Sequence, residues 1–551
     1  MVNRHISRRG FLKAVGVGAA SLAMPGGRLL GEVCGDRPNI ILIMADDMGY
    51  SDIGCYGGEI ATPNIDRLAA NGLRFTQFYN TARCCPTRAS LMTGLYPHQT
   101  GMGWMTAANL GYEGYKGDLN NRCVTIAELL KRRGYSTYMA GKWHVTYNGY
   151  FEGPKHSWPC QRGFDRFYGT LSGGGNYFDP TALTRDNTRI KAPGEGYYYT
   201  DAISDNAAKF IKEHEVSKGD EPYFLYVAYT SPHWPLHAKP HDIERYRGKY
   251  IKGWDALRVE RHRRMIEMGL VEESWEITPR DVKAKSWEEV DAAKGELWDL
   301  RMAVYAAQID CMDQGIGQIV SAVEKSGKLD NTLIMFLSDN GGCAEGISRA
   351  KKDIKLLGAE DSFESYRVNW ANASNTPFRL YKHWVHEGGI ATPLVVHWPG
   401  RIKARGEQRH QPGHVIDIMA TCIDITGAKY PRKHKGKKIV PLEGKSLVPA
   451  FDNWLIEREA IYWEHEGNRA IRVGKWKLVA KGKEGAWELY DLEADRTELN
   501  DLAKWYPDRV KKLAEMWQRW AEHSKVLPLD GRGWNERLKT DKGPPLAEGK
   551  I

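Results

Sequence analysis

Apolar residues along this chain come in solid blocks that end abruptly in charge. Asn39-Ile40-Ile41-Leu42-Ile43-Met44-Ala45 is bounded by Pro38 on one side and Asp46-Asp47 on the other. Continuous apolarity, in place of strict alternation, predicts a strand covered on both faces, as in a parallel sheet between helices. Thr62-Pro63 opens a helix with a capping residue and a first-turn proline, and Gly72 closes it. Thr125 to Arg133 reads as a helix ended by Gly134, with a strand from Tyr135 to Ala140 after it. Tyr223–Tyr229, Thr332–Leu337 and Pro393–His397 read as further buried strands, and Leu300 to Lys325 as a long helix before the Thr332 strand. Strand and helix alternate, which predicts an α/β domain built on a large, mostly parallel mixed sheet flanked by helices.

The pattern changes near residue 456. Ala470–Val473, Lys475–Val479 and Trp487–Tyr490 alternate like short antiparallel strands. Pro507 to Ala521 then places Val510, Leu513, Met516, Trp517 and Trp520 on one helical face. The expected organisation is a catalytic domain over 36–455 and a smaller C-terminal α+β domain over 456–551. Residues 253–300 are charge-rich and read as a surface excursion, and 345–375 as a loop over the site. Ser172-Gly173-Gly174-Gly175 reads as a flexible loop, since no Lys-Ser or Lys-Thr follows to make a phosphate cradle.

Ligands of open α/β sheets bind beyond the carboxyl ends of the strands. Here those ends carry chemistry. Asp46-Asp47 follow the first strand, Lys142 and His144 the second of the set, His233 the third, and Asp339-Asn340-Gly341-Gly342 the fourth. One such ending is what any strand needs; four point to a single site. Carboxylate and amide oxygens together suit a hard divalent cation.

The sharpest local motif is Cys84-Cys85-Pro86-Thr87-Arg88-Ala89-Ser90-Leu91-Met92-Thr93-Gly94. Pro86 suits the start of a helix and Gly94 its end. Cys84 then lies just before the helix N-terminus, where the free N–H groups favour an anion, and Arg88 within the first turn adds a fixed positive charge. Taken alone, the pair reads either as buried structural thiols or as a reactive thiolate.

Cys-x-Pro-x-Arg followed by Ala-Ser-Leu-Met-Thr-Gly resembles the signature of the type I sulfatases, of the alkaline-phosphatase-like superfamily. The resemblance runs from Arg37 to about Pro528, and is strongest to bacterial arylsulfatases, through Pro232-His233-Trp234-Pro235 and Glu387-Gly388-Gly389. It implies that Cys84 is oxidised to formylglycine by a separate generating enzyme, with Cys85 at the variable position. It also implies that Asp46, Asp47, Asp339 and Asn340, with the modified residue 84 beside them, match the Ca²⁺ ligands; Mg²⁺ is the alternative ion. Arg88, Lys142, His144, His233 and Lys382 fill the matching cationic and acid/base positions. The implied reaction is hydrolysis of an aryl or carbohydrate sulfate: a hydroxyl of the hydrated aldehyde attacks sulfur, with Asp339 a candidate base. Arg88, Lys142 and Lys382 hold the sulfate oxygens, His233 or Lys382 protonates the leaving alcohol, and His144 assists release of sulfate. Many relatives carry Arg after Glu-Gly-Gly-Ile, whereas this chain has Ala391, so that arginine's contacts cannot be carried over. The competing readings are a phosphomonoester or phosphodiester hydrolase of the same superfamily and a non-catalytic binder of sulfated glycans.

Composition then trims the picture. The 551 residues are 42% hydrophobic and 27% charged, which excludes wholesale disorder. The formal charge of +9 invites a nucleic-acid partner. Yet residues 1–31 hold Arg4, Arg8, Arg9, Lys13 and Arg28 and no acid, so over half of that excess sits at the N-terminus. Arg8-Arg9 before the apolar run Ala14–Met24 reads as a twin-arginine signal peptide over 1–31, too short to span a bilayer. The mature protein is therefore expected in the periplasm or medium, with no nucleic-acid partner and no membrane insertion. Nine cysteines without a Cys-x-x-Cys pair offer no zinc spacing.

Overall fold

The computed structural model describes residues 37–348 and 356–543. The twin-arginine segment and Cys34 lie outside the described residues. From Pro38 onward the chain forms one compact unit.

Its frame is a large mixed sheet. In chain order the strands are β1 (Asn39–Ala45), β2 (Leu73–Tyr79), β3 (Ser136–Gly141), β4 (Arg166–Thr170), β5 (Leu183–Arg185), β6 (Thr188–Arg189), β7 (Tyr223–Ala228), β8 (Thr332–Ser338), β9 (Ala391–His397), β10 (Glu407–Arg409) and β11 (Gly413–His414). They lie in the order β10-β2-β9-β8-β1-β7-β3-β4-β5-β6, with β11 also on β2. The central run from β8 to β4 is parallel, and β9 runs against both its neighbours. β1 is buried along its whole length. Ile41, Ile43 and Ala45 enter one apolar cluster, and Ile40, Leu42 and Met44 the other. That two-sided burial is why the run is apolar throughout, each aliphatic side chain contributing roughly 1.5–3 kcal/mol.

Helices cover both faces. α1 (Cys84–Thr93) contributes Ala89, Leu91 and Met92 to the second cluster. α2 (Tyr199–Lys218) and α3 (Ala292–Lys325) fill the first with Ile203, Phe210, Val304 and Ile316 among others. Gly94 ends α1 at φ 69°, and a Cβ there would lie 2.5 Å from Leu442 and 2.7 Å from Met419, so no larger residue fits. α3 starts eight residues before the predicted Leu300, at an Asp291 cap whose side chain accepts from Ala293 N–H.

Residues 253–300 depart from the expected surface excursion. They include a helix over Gly253–Glu267, and Trp254, Leu257, Met265, Leu270 and Trp275 are buried in the core. Its charges are used inward as well: Arg261 is fully buried between Asp52 and Glu59.

A two-residue ribbon, β12 (Lys433–His434) with β13 (Lys437–Lys438), precedes the C-terminal sheet of β14 (Ile461–His465), β15 (Asn468–Val473), β16 (Trp476–Ala480) and β17 (Glu488–Asp491), antiparallel in that order. One face packs Ile471, Leu478 and Leu489 on Leu513, Trp517 and Trp520 of α4 (Pro507–His523), together with Tyr96 and Ile416 from the large sheet's flank. The other face reaches the active-site side. Lys477 Nζ donates to Glu387 at 2.9 Å and forms an ion pair with Glu498 at 2.8 Å, Arg496 Nε donates to Glu387 at 3.1 Å, and all four are buried. The Glu387-Gly388-Gly389 turn is thus clasped from the small sheet, and it in turn ties Gly341 to Gly389 O and Gly388 to Arg379 O. Among the described residues no helix is long and apolar enough to cross a membrane, and the eight cysteines are free.

Candidate active site

Strand register assembles the site. Ala45 of β1 pairs with Ser338 of β8, Met44 with Ala228 of β7, and Ala228 with Gly141 of β3, so four strands end level. Each next residue continues the ladder: Asp339 N donates to Ala45 O, Tyr229 N to Met44 O, and Lys142 N to Ala228 O. Asp46, Asp339 and Lys142 consequently stand side by side, with His233 following the β7 end. The backbone then turns sharply, placing Asp47 at φ 65° and His144 at φ 53°, a conformation that side-chain-bearing residues adopt at a cost.

Three carboxylates meet three cations in this buried cluster. Arg88 Nη2 donates to Asp339 Oδ2 at 2.7 Å and Nε to the same oxygen at 3.1 Å, while Nη1 donates to Lys142 O at 3.0 Å. Lys142 Nζ donates to Asp46 Oδ2. Lys382 Nζ reaches both oxygens of Asp47, at 2.7 and 2.9 Å. Asn340 Nδ2 donates to Asp47 Oδ1 at 2.7 Å, and His233 Nε2 lies 3.5 Å from Asp47 Oδ2. All ten residues predicted for the site, from Asp46 to Lys382, are buried around one point.

Two oxygens in this cluster have no hydrogen-bond partner: Asp46 Oδ1 and Asn340 Oδ1. Buried acceptors are normally satisfied. Burial, with Asp46 alongside, pushes the Asp339 carboxyl up to about 8, and burial raises Asp46 too. Asp47 sits below its usual value, where Lys382 and His233 outweigh burial. Orphaned hard oxygens, and carboxyls raised by burial and by a like-charged neighbour, are the features a divalent cation removes.

Cys84 is the first residue of α1, not the residue before it, with Arg83 as the cap; Arg88 accordingly falls one turn in. A hydrogen bond from Cys85, then Lys142 and His144 working against burial, holds the Cys84 thiol well below its ordinary range. Cys85 is more than a variable spacer: its Sγ lies 3.1 Å from His144 Nε2. Burial lowers both His144 and His233 to about 4, so both rings are neutral at pH 7. A cavity of about 850 Å³ opens over this cluster, with Cys84, His144, His233 and Lys382 in its wall.

The sequence model described as Sulfatase matches residues 38–428, well over half of the chain. The chain belongs to the sulfatase family. A second model, N-sulphoglucosamine sulphohydrolase, C-terminal, matches residues 378–524. An uncharacterized sulfatase of Schizosaccharomyces pombe is 35% identical over 87% of this chain and 93% of its own length. An arylsulfatase of Klebsiella aerogenes is 34% identical over 78% of this chain and 95% of its own. Among solved structures, Ps i-CgsB in complex with k-i-k-neocarrahexaose aligns with a TM-score of 0.66 at 28% identity, covering 92% of this chain and 98% of that one. The protein is a sulfuric ester hydrolase with an alkaline-phosphatase-like fold.

The glycine loop at 172–175 has a role in this sulfatase that its composition did not reveal. A Cβ on Gly173 would lie 2.1 Å from His144 Cε1, and one on Gly174 would lie 2.9 Å from His233 Cε1. The two imidazoles press on bare backbone, and that contact fixes where their rings sit. Gly173→Ala is expected to displace His144 and lower kcat at least about tenfold, with thermal stability little changed. An unchanged kcat on an aryl sulfate would show that the contact does not set the ring.

Proposed function

We propose that this sulfatase cleaves an aryl or carbohydrate sulfate at position 84 once Cys84 has been converted to formylglycine, with Ca²⁺ held by Asp46, Asp47, Asp339 and Asn340. The observation that carries the reading is the pairing of an α1 N-terminus at Cys84 with the two orphaned oxygens of Asp46 and Asn340. The donor set is entirely hard oxygen, which suits Ca²⁺, and the three carboxylates balance Arg88, Lys142 and Lys382 in number. A divalent cation then leaves the cluster net positive, ready for an anionic ester. When present, formylglycine supplies an oxygen nucleophile and the cation withdraws charge from the ester oxygens.

The protein's own groups do the rest. Arg88 and Lys142, fixed by Asp339 and Asp46, present positive charge that needs no rearrangement as charge builds on sulfate. Against the effect of burial, Asp47 keeps the Lys382 ammonium well above its ordinary range, so Lys382 carries a proton at neutral pH. His233, neutral there, hydrogen-bonds through Nδ1 to Trp234 O and keeps Nε2 toward the site, which makes Lys382 the better donor to the leaving alcohol. His144, also neutral, accepts the proton whose removal frees sulfate.

Maturation calls for a formylglycine-generating enzyme as partner. Arg8-Arg9 and the apolar run after it support twin-arginine export to the periplasm or medium.

The phosphonate monoester hydrolase of Agrobacterium radiobacter shares the fold, with a TM-score of 0.54 at 20% identity, so ester preference needs its own test. The matured protein is expected to hydrolyse para-nitrophenyl sulfate faster than para-nitrophenyl phosphate. Faster turnover of the phosphate would overturn the reading.

A further inference from the structure

Two carboxylates in the cavity wall have no part in the reaction. Glu345 accepts from Trp234 Nε1 at 2.9 Å and pairs with Arg83 at 2.9 Å. Glu466 accepts from Trp104 Nε1 at 2.6 Å and pairs with His383 Nδ1 at 2.7 Å. Both line the cavity, and neither is sealed: their side chains keep 32% and 18% of their surface. An ionised carboxylate accepts about four hydrogen bonds, so each retains capacity after these two. Arg83 holds Glu345, and His383 holds Glu466, well below the usual carboxylate range in spite of burial. The wall thus offers fixed anionic acceptors that want donors.

Aromatic faces stand beside them. Trp234, Trp384 and Trp534 line the same cavity. Trp534 is 42% exposed, with its ring 5.0 Å from that of Trp104, the residue that holds Glu466. An indole left in water at a cavity mouth favours a ligand with an apolar face. A purely aryl alcohol would use the indoles but cover the carboxylates' remaining acceptor capacity without supplying a donor to it, and desolvating an acceptor in that way is costly. A sugar ring satisfies both, since its C–H face stacks on indole while its hydroxyls donate to carboxylate.

We propose that Glu466 and Trp534 form a subsite for the alcohol part of the ester, and that this alcohol is a carbohydrate. The inference rests on Cys84 being the reaction centre, since the same cavity connects the two. It gives a purpose to the His465-Glu466-Gly467 turn between β14 and β15: the C-terminal sheet supplies the acceptor that reads the sugar. Aryl sulfates remain hydrolysable, because their turnover needs only the cluster around Cys84.

The test compares two substrate types on the same protein preparations. Matured parent, Glu466→Gln and Trp534→Ala are assayed with para-nitrophenyl sulfate and with the monosulfates of galactose and of glucose at each hydroxyl. The parent is expected to turn over at least one sugar sulfate. Glu466→Gln should lower kcat/KM on it about tenfold or more, in line with the loss of a charged hydrogen bond, and change para-nitrophenyl sulfate less than about threefold. Trp534→Ala, at an exposed position that spares the fold, should raise KM for the sugar ester alone. Equal losses on both substrates, no loss on either, or no turnover of any sugar monosulfate would overturn the inference. A parent inactive even on para-nitrophenyl sulfate would overturn the reaction-centre reading itself.

Discussion

Cys84→Ala abolishes turnover, lowering kcat by at least about 10⁴-fold, the order seen when a nucleophile is removed from a preorganised site. No neighbouring group can replace it. Arg88, Lys142 and Lys382 are engaged with Asp339, Asp46 and Asp47, and they bind the ester without attacking it. The fold survives, because the change removes one sulfur atom from the start of α1 and leaves Ala89, Leu91 and Met92 in the core. A stability loss of about 1 kcal/mol is expected, ordinary for a single buried substitution. Cys85→Ala is milder. It removes the contact to His144 Nε2 but no reacting atom, so activity falls without vanishing. Steady-state kinetics with thermal unfolding of the three proteins checks this, and retained activity in Cys84→Ala would refute the site.

Removing the divalent cation is expected to cost both activity and stability. The protein stripped with a chelator should lose activity by at least about a hundredfold and regain it on adding Ca²⁺, since the lost charge stabilisation acts in a dry site. The unfolding midpoint should climb with Ca²⁺ concentration, by an amount equivalent to about 2.7 kcal/mol at a hundred times Kd. Asp46→Asn should weaken this response and also leave the buried Lys142 ammonium without its carboxylate. Unpaired buried charge costs about 3–5 kcal/mol, so the variant should be less stable even without metal. Calcium titration followed by calorimetry reads both effects. A midpoint indifferent to Ca²⁺, with activity intact after chelation, would mean that Asp46 Oδ1 and Asn340 Oδ1 serve no cation.

Much of this site was legible before the fold was known, for a physical reason. A strand buried on both faces must be apolar throughout, so its end is marked by the first charge, and Asp46, Lys142 and Asp339 fall at such marks. Register alone then brings them together. The helix at Cys84 was readable from Pro86 and Gly94, although it begins at Cys84, two residues ahead of that proline.

The misses have a common cause. Gly173 and Gly174 are small because His144 and His233 occupy the space a Cβ would take, a contact between distant segments that no local pattern records. Cys85 is tied to His144 across 59 residues in the same way. Residues 253–300 misled because their apolar side chains are diluted among arginines, one of which, Arg261, is itself buried by pairing with Asp52 and Glu59. Glu345 carries no motif, and only the cavity brings it to the wall it shares with Glu466. The His465-Glu466-Gly467-Asn468-Arg469 segment reads from sequence either as a turn or as a loop toward the substrate, and its Glu466 lines that wall.

The central claim is that Cys84 is not a cysteine in the working enzyme. Arg83 and Arg88 flank it, so trypsin releases Cys84–Arg88 as a short peptide whose mass reports the side chain directly. In protein produced with a formylglycine-generating enzyme, that peptide should show an aldehyde in place of the thiol at position 84, with Cys85 unchanged, and the aldehyde fraction should track specific activity. A fully active preparation in which Cys84 remains a free thiol would contradict the account.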